Sequence, residues 1–223
     1  MAISQEYMCE HGLMKCHNPS KHKMSEPFFS DNFQLENERV LLRSLLTEDL
    51  EHLLPISENE PENWQYGLED ASGREQLASY IANAIRGKTD HQSFPFIIFD
   101  KAAQQYAGST RYYQINSKHG RLAIGYSWLG NAFKQTGLNT HVKYLMLTHA
   151  FEHMQMERVE FMADSLNERS IRSILSLGAS REGTLRSHAV RPNGTRRDTA
   201  VFSIIKKEWL EQVKPSLFQK INM

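Results

Sequence analysis

A strand, a polar loop and a helix meet in WLGNAFKQTGLNTHVKYLMLTHAFE, and the loop carries residue types suited to holding a phosphate. The start of a helix leaves its first backbone N–H groups unpaired and places the positive end of the helix dipole beside them, which suits a phosphate or pyrophosphate. Gly137 permits the turn into the helix, and Lys134 adds a cation beside it. The segment is neither a Walker loop nor a GxGxxG fingerprint, so nucleotide chemistry of those two kinds is excluded at this junction.

Charge placement offers a second handle. The chain is formally neutral, with 26 basic and 26 acidic residues among 223, which excludes a general nucleic-acid footprint. The signs are segregated. Glu48 to Glu75 carries nine acidic residues against Arg74, and Leu166 to Lys207 carries nine basic ones against Glu168, Glu182 and Asp198. Such asymmetry points either to two partners of opposite charge or to two solvated surfaces. Cys9, His11, Cys16, His17 and His22 are ligand types that zinc accepts, but their spacing matches no zinc module and one segment supplies them all, so no metal is expected.

These residues need elements to position them. Residues 1–32 lack periodicity and read as an arm, residues 33–212 as one domain and residues 213–223 as a C-terminal tail. Leu35 to Arg43 reads as a strand, followed by a helix from Thr47 that Pro55 ends and a second from Arg74 to Arg86 with Gly87 past its end. SFPFIIFD, QYAGSTRYYQI and RLAIGYSWLG predict three hairpin-linked strands. A helix from Gly137 to about Met154, the strand RVEFMAD, a helix over Asn167 to Leu177 and two closing strands complete the order. The fold class is therefore α/β in content, with a mixed sheet rather than a doubly wound parallel one and helices on both faces. The absence of roughly 18 consecutive apolar residues, and of an apolar secretion signal, predicts a cytoplasmic protein that meets no membrane.

In this setting the sequence resembles the GCN5-related N-acetyltransferases (GNAT), in the branch of the ribosomal-protein N-terminal acetyltransferases of the RimJ/RimL type. KQTGLN follows the family's pyrophosphate loop at Gly137, is conservative at Lys134 and departs at Asn139. Asn167, Ser170 and Gly178 meet a second pattern, an Asn with a small residue three positions on and a Gly eleven positions on. AIGYSWLG and the closing REGTLR and RRDTAVFSII fit the same branch, and the resemblance runs from Phe33 to Trp209.

The resemblance implies a mostly antiparallel twisted sheet whose fourth and fifth strands splay apart. It implies acetyl-CoA as co-substrate, held by Trp128, Leu129, Lys134, Gln135, Thr136, Gly137, Leu138, Asn139 and Thr140, with Asn167, Arg169 and Arg172 beyond. The implied reaction is direct attack on the thioester by the amine of a peptide N-terminus or small molecule. The family's frequent sulfur-protonating Tyr is Ile174 here, and Ser170 takes that role in the branch. The strand-four carboxylate of many relatives is Ala123, which leaves the base open among His188, Glu182, Asp198 and a water chain. His188 is the first catalytic candidate, because imidazoles as a class titrate near neutral pH and because it is expected just after the strand SREGTLR, where the resemblance implies the substrate channel. Glu62, Trp64 and Tyr66, in the acidic early segment, are expected on the acceptor side. The departures keep a second reading open, a non-catalytic acyl-CoA-binding module. A homodimer paired through the closing strands is also compatible.

Overall fold

The computed structural model describes residues 30–222. The Cys and His group of the arm lies outside the described residues.

Leu35 to Arg43, expected as one strand, is instead a hairpin: β1 (Gln34–Glu36) returns as β2 (Val40–Ser44), with Gln34 opposite Arg43. Asn37 makes the turn, its Oδ1 accepting the N–H groups of Arg39 and Val40 at 3.0 Å each. A side chain that mimics a backbone turn in this way is why Asn marks reversals. Helix α1 (Leu50–Asn59) runs through Pro55 instead of ending there. Both Pro55 and Glu51, whose carbonyl loses its helical donor, are exposed, so water replaces the missing bond. Helix α2 (Arg74–Thr89) likewise continues past Gly87. That glycine serves close packing, since a Cβ there would come within 2.5 Å of Ser93 Oγ.

Strands β3 (Ser93–Asp100), β4 (Gln105–Asn116) and β5 (Arg121–Leu129) form the expected meander. Helix α3 (Leu138–Thr148) crosses to β6 (Arg158–Asp164), and α4 (Glu168–Ser176) leads to β7 (Ser180–Val190) and β8 (Arg196–Ile205). The eight strands make one sheet in the order β1-β2-β3-β4-β5-β6-β8-β7, antiparallel except where β5 meets β6. Because the first expected strand is two, the family's strands four and five are β5 and β6 here.

The faces carry different cores. Under α1 and α2 lie Leu45, Leu53, Leu77, Ile81, Ile97, Trp64 and Trp128, and this cluster draws nothing from β6, β7 or β8. The opposite core joins Phe94 and Phe96 of β3, Val142 and Met146 of α3, Phe161 of β6 and Phe202 of β8, so it alone crosses the junction of β5 with β6. The C-terminal residues set apart as a tail belong to it. The chain leaves β8 through α5 (Lys206–Glu208) and a π turn over Trp209–Val213 into α6 (Lys214–Ile221). Trp209 stacks on Phe151 at 5.5 Å, and Val213 and Leu217 are buried. The apolar positions are too few and too close to the chain end to show a periodic pattern in sequence.

Leu217→Ala is expected to cost about 2–5 kcal/mol, as for other fully buried leucines. Urea unfolding measures it, and wild-type stability would show α6 to be peripheral.

Candidate active site

The sheet comes apart between β5 and β6. They share three backbone pairs, Arg121 with Arg158, Leu122 with Val159 and Ala123 with Glu160, and then part. Beyond that point β6 follows β8 as far as Asp164, while β5 stays with β4 as far as Leu129. From Ile124 onward β5 thus has one backbone edge with no strand beside it among the described residues. A bulge bends β5 away: Arg111 faces Gly125 and Ser109 faces Trp128, so three steps on β5 match two on β4, and Tyr126 takes φ +49°. Bulges raise the local twist and re-aim side chains, and they occur often beside active sites.

The loop after β5 lies at the mouth of this opening. Gln135 (φ +63°) and Gly137 (φ +83°) are both left-handed, and Gly137 caps α3. Among the described residues the N–H groups of Gln135, Thr136, Gly137 and Asn139 find no acceptor, whereas that of Leu138 reaches Thr136 Oγ1 at 3.4 Å. A Cβ on Gly137 would meet nothing within 4 Å, so the loop is open on that side. Successive N–H groups in such a turn form an anion-binding concavity. Leu138 is a fully buried anchor of α3, and the Thr140 N–H returns to Gly137 O.

Lys134 is held in a polar brace. Its Nζ donates to Asn63 Oδ1 at 2.6 Å and to Asn131 Oδ1. The Asn131 N–H in turn donates to the Glu60 carboxylate at 2.8 and 2.9 Å, and Asn131 Nδ2 donates to Glu62 Oε1 at 3.0 Å. Burial, helped by the charge of Arg169, lowers the Lys134 pKa against the pull of Glu60 and Glu62. Glu62 therefore stands beside the loop of unpaired N–H groups. The backbone N–H of Asn131 is committed to the brace.

Helix α4 starts on the other side of the opening. Asn167 caps it, Oδ1 accepting the Ser170 N–H at 3.0 Å, and Asn139 Nδ2 donates to Ser173 Oγ at 3.2 Å, tying α3 to α4. The Asn and small-residue spacing thus has a capping reason as well. Arg169 lies near enough to Lys134 to act on its charge, whereas Arg172 pairs with Glu168 at 3.0 Å on the exposed face.

Other expected residues stand further off. His188 is on the outermost strand, β7, with β8 and β6 between it and the opening, and its Nδ1 is 3.1 Å from Thr199 Oγ1. It lies inside β7, not after it. Glu182 is engaged by Arg158 and Ser203; the Arg158 hydrogen bond chiefly holds its pKa at about 2, which leaves a poor base. Trp64 is a buried residue packed edge to face on Trp128 at 4.8 Å, not an exposed contact surface. The Tyr66 carbonyl accepts from Arg197 at 3.2 Å.

Sequence reasoning passed over the buried polar residues around the bulge. Lys143 reaches in from α3, donating to Ser127 Oγ at 2.6 Å and Thr110 Oγ1 at 3.2 Å. Burial brings its pKa down to about 7. Arg111, in the middle of β4, was legible as a lone charge inside an aromatic and β-branched run. On the α1/α2 face it stands with Tyr113 and Tyr126, and burial raises the pKa of both phenols.

Residues 39–180 match the acetyltransferase (GNAT) domain, and the chain belongs to that family of acetyl-CoA-dependent acetyltransferases. Among its relatives, the uncharacterized N-acetyltransferase YoaA of Bacillus subtilis (strain 168) is 27% identical over 172 residues, 77% of this chain and 96% of YoaA. A solved structure from T. thermophilus, assigned as an acetyltransferase, is 30% identical with a TM-score of 0.76, covering 84% of this chain and 96% of that one. Mycobacterium smegmatis RimJ, solved with CoA-disulfide, shares the fold at 18% identity and a TM-score of 0.68, over 84% of this chain and 92% of RimJ. The family resemblance drawn from KQTGLN and the Asn167 spacing, the RimJ/RimL-like branch included, is borne out.

Lys143 gives a pH signature. Its folded pKa of about 7 lies below the unfolded value near 10.4. Between these values the unfolded chain binds more protons, so stability rises with pH across the window and the cost of burying the charge is fully felt below it. Lys143→Met is expected to flatten the rise between about pH 7 and 10, read by urea unfolding at both ends. A wild-type slope in the variant would mean that the lysine stays charged in the fold.

Proposed function

We propose that this enzyme transfers the acetyl group to a primary amine by direct attack, with donor and acceptor held together where β5 leaves β6. The reading rests on one observation: the free edge of β5 runs directly into the loop of unpaired N–H groups. Acetyl-CoA, when bound, supplies the thioester, a pyrophosphate and a ribose phosphate.

The residues of the chain divide the remaining work. The N–H groups of Gln135, Thr136, Gly137 and Asn139 receive the pyrophosphate, with Lys134 adding charge, and Arg169 and Arg172 serve the ribose phosphate. The free edge of β5 near Trp128 and Leu129 pairs with the pantetheine amides as another strand would. A β5 N–H on that edge polarises the thioester carbonyl. The amine nitrogen then bonds to the carbonyl carbon while the carbon–sulfur bond breaks. The nitrogen releases its proton to water, and the Ser170 hydroxyl delivers one to the departing sulfur and is reprotonated by solvent. Holding both reactants in place supplies much of the acceleration.

Two substitutions test this with full-length protein. Gly137→Val strains the left-handed turn and puts a side chain on the open side of the loop, and coenzyme A affinity by calorimetry is expected to fall at least about tenfold. Unchanged affinity would place the pyrophosphate elsewhere. Ser170→Ala is expected to lower kcat for thiol release at least about tenfold with little change in KM. Tight coenzyme binding with no turnover on peptides, polyamines, amino acids or aminoglycosides would favour a binding module instead.

A further inference from the structure

Buried guanidinium groups normally satisfy their donors. Arg111 does not. It is 5% exposed, yet its Nε and one terminal nitrogen have no hydrogen-bond partner. The rings of Tyr126 and Tyr80 lie against its guanidinium at 3.8 and 4.7 Å. Tyr80 also takes a hydrogen bond from the guanidinium, which leaves Nε and that one terminal nitrogen as the unused in-plane donors. The nearest anion, Glu69, stands 3.9 Å away, too far for a hydrogen bond, and Glu69 Oε2 is itself buried with no donor.

A second cation is in the same condition. Arg197 is 6% exposed and its Nε is unpartnered. Asp164 lies 3.9 Å from that nitrogen, but its two oxygens are already taken by Arg191 at 2.7 and 3.0 Å. The charges of Arg111 and Arg197 both reach Tyr113 and Tyr126, which meet edge to face at 5.3 Å. The set comprises Arg111, Arg191 and Arg197 with Glu69 and Asp164, and Asp198 acts on Arg191 and Glu160 on Tyr113 from its rim.

The position of Arg111 gives its unpartnered donors a use. Arg111 pairs with Gly125, two residues past Ala123, where β5 has just left β6. On this face the apolar core stops at β5, and the two buried cations come from either side of the gap between β5 and β6, Arg111 from β4 and Arg197 from β8. The unused donors therefore lie on the lip of the opening where the amine must attack.

We propose that the acceptor is a small amine carrying a carboxylate, of amino-acid type, whose carboxylate is held by the free donors of Arg111 in the field of Arg197. This rests on the acetyl-transfer reading for the amine, but the carboxylate site stands on its own geometry. A planar fork of N–H donors fits a carboxylate two to two. The free Glu69 oxygen accepts an N–H of the same ligand. The acceptor is thereby separated from polyamines, whose positive charges meet a like charge here.

The test compares amines that differ at one group, with thiol release from acetyl-CoA as readout: the L-amino acids, their amides, spermidine, phosphoethanolamine and an alanine-initiated peptide. At least one amino acid is expected to exceed its amide in kcat/KM by about 100-fold or more, as for sites built to bond a group the analogue lacks. Arg111→Gln is expected to erase that preference through KM while coenzyme A affinity stays within about twofold. Arg111→Met, which removes the orphan donors and keeps an apolar stem, covers the case in which the Gln variant fails to fold. Amides or spermidine turned over as well as amino acids, or a preference for phosphoethanolamine, would overturn the proposal and leave acetyl transfer intact. Thermal stabilisation by the amino acids alone, lost in the Arg111 variants, supports the carboxylate site even if no amine turns over. No turnover and no stabilisation overturns it.

Discussion

Three backbone pairs between β5 and β6 join the halves of this sheet, and everything functional depends on there being only three. A longer ladder would satisfy the β5 edge and close the space beside it. The halves stay together because one core crosses from β3 to β8 on the α3 face, while the core under α1 and α2 ends at β5. The sheet is stitched along one face and left open along the other. The bulge at Tyr126 sets the direction of the opening, and α3 begins within it.

Polar contacts hold the rims. On one side the Glu60, Asn63, Asn131 and Lys134 brace fixes the segment after α1 to the loop after β5. On the other, Asp164 at the end of β6 binds Arg191, and Arg197 reaches across to the Tyr66 carbonyl. Loops tied at both ends this way present a formed site without a bound ligand to order them.

Element order, the mixed sheet and the glycine turn into α3 were legible in the sequence, since periodicity, Gly137 and the Asn167 spacing each have a local cause. The misreadings were also local. Pro55 and Gly87 read as helix ends because propensity ignores whether the lost bond faces water or the missing side chain makes room for a neighbour. The Asn37 turn was hidden inside an apolar run. The residues expected on the acceptor side fared differently: Trp64 is core and Glu62 belongs to the brace, while the convergence of Arg111 and Arg197 from β4 and β8 is something no spacing in the chain reveals.

The tryptophans have a practical consequence. Two of the three, Trp64 and Trp128, touch at 4.8 Å in the core under α1 and α2, with Trp128 on the length of β5 that has left β6, and the Trp128 indole is hydrogen-bonded to the Tyr80 hydroxyl at 3.3 Å. The third, Trp209, is stacked on Phe151 in the opposite core. The protein therefore carries its own optical probes: a packed indole pair whose emission and near-ultraviolet dichroism report on the site, and a distant indole that serves as the internal reference.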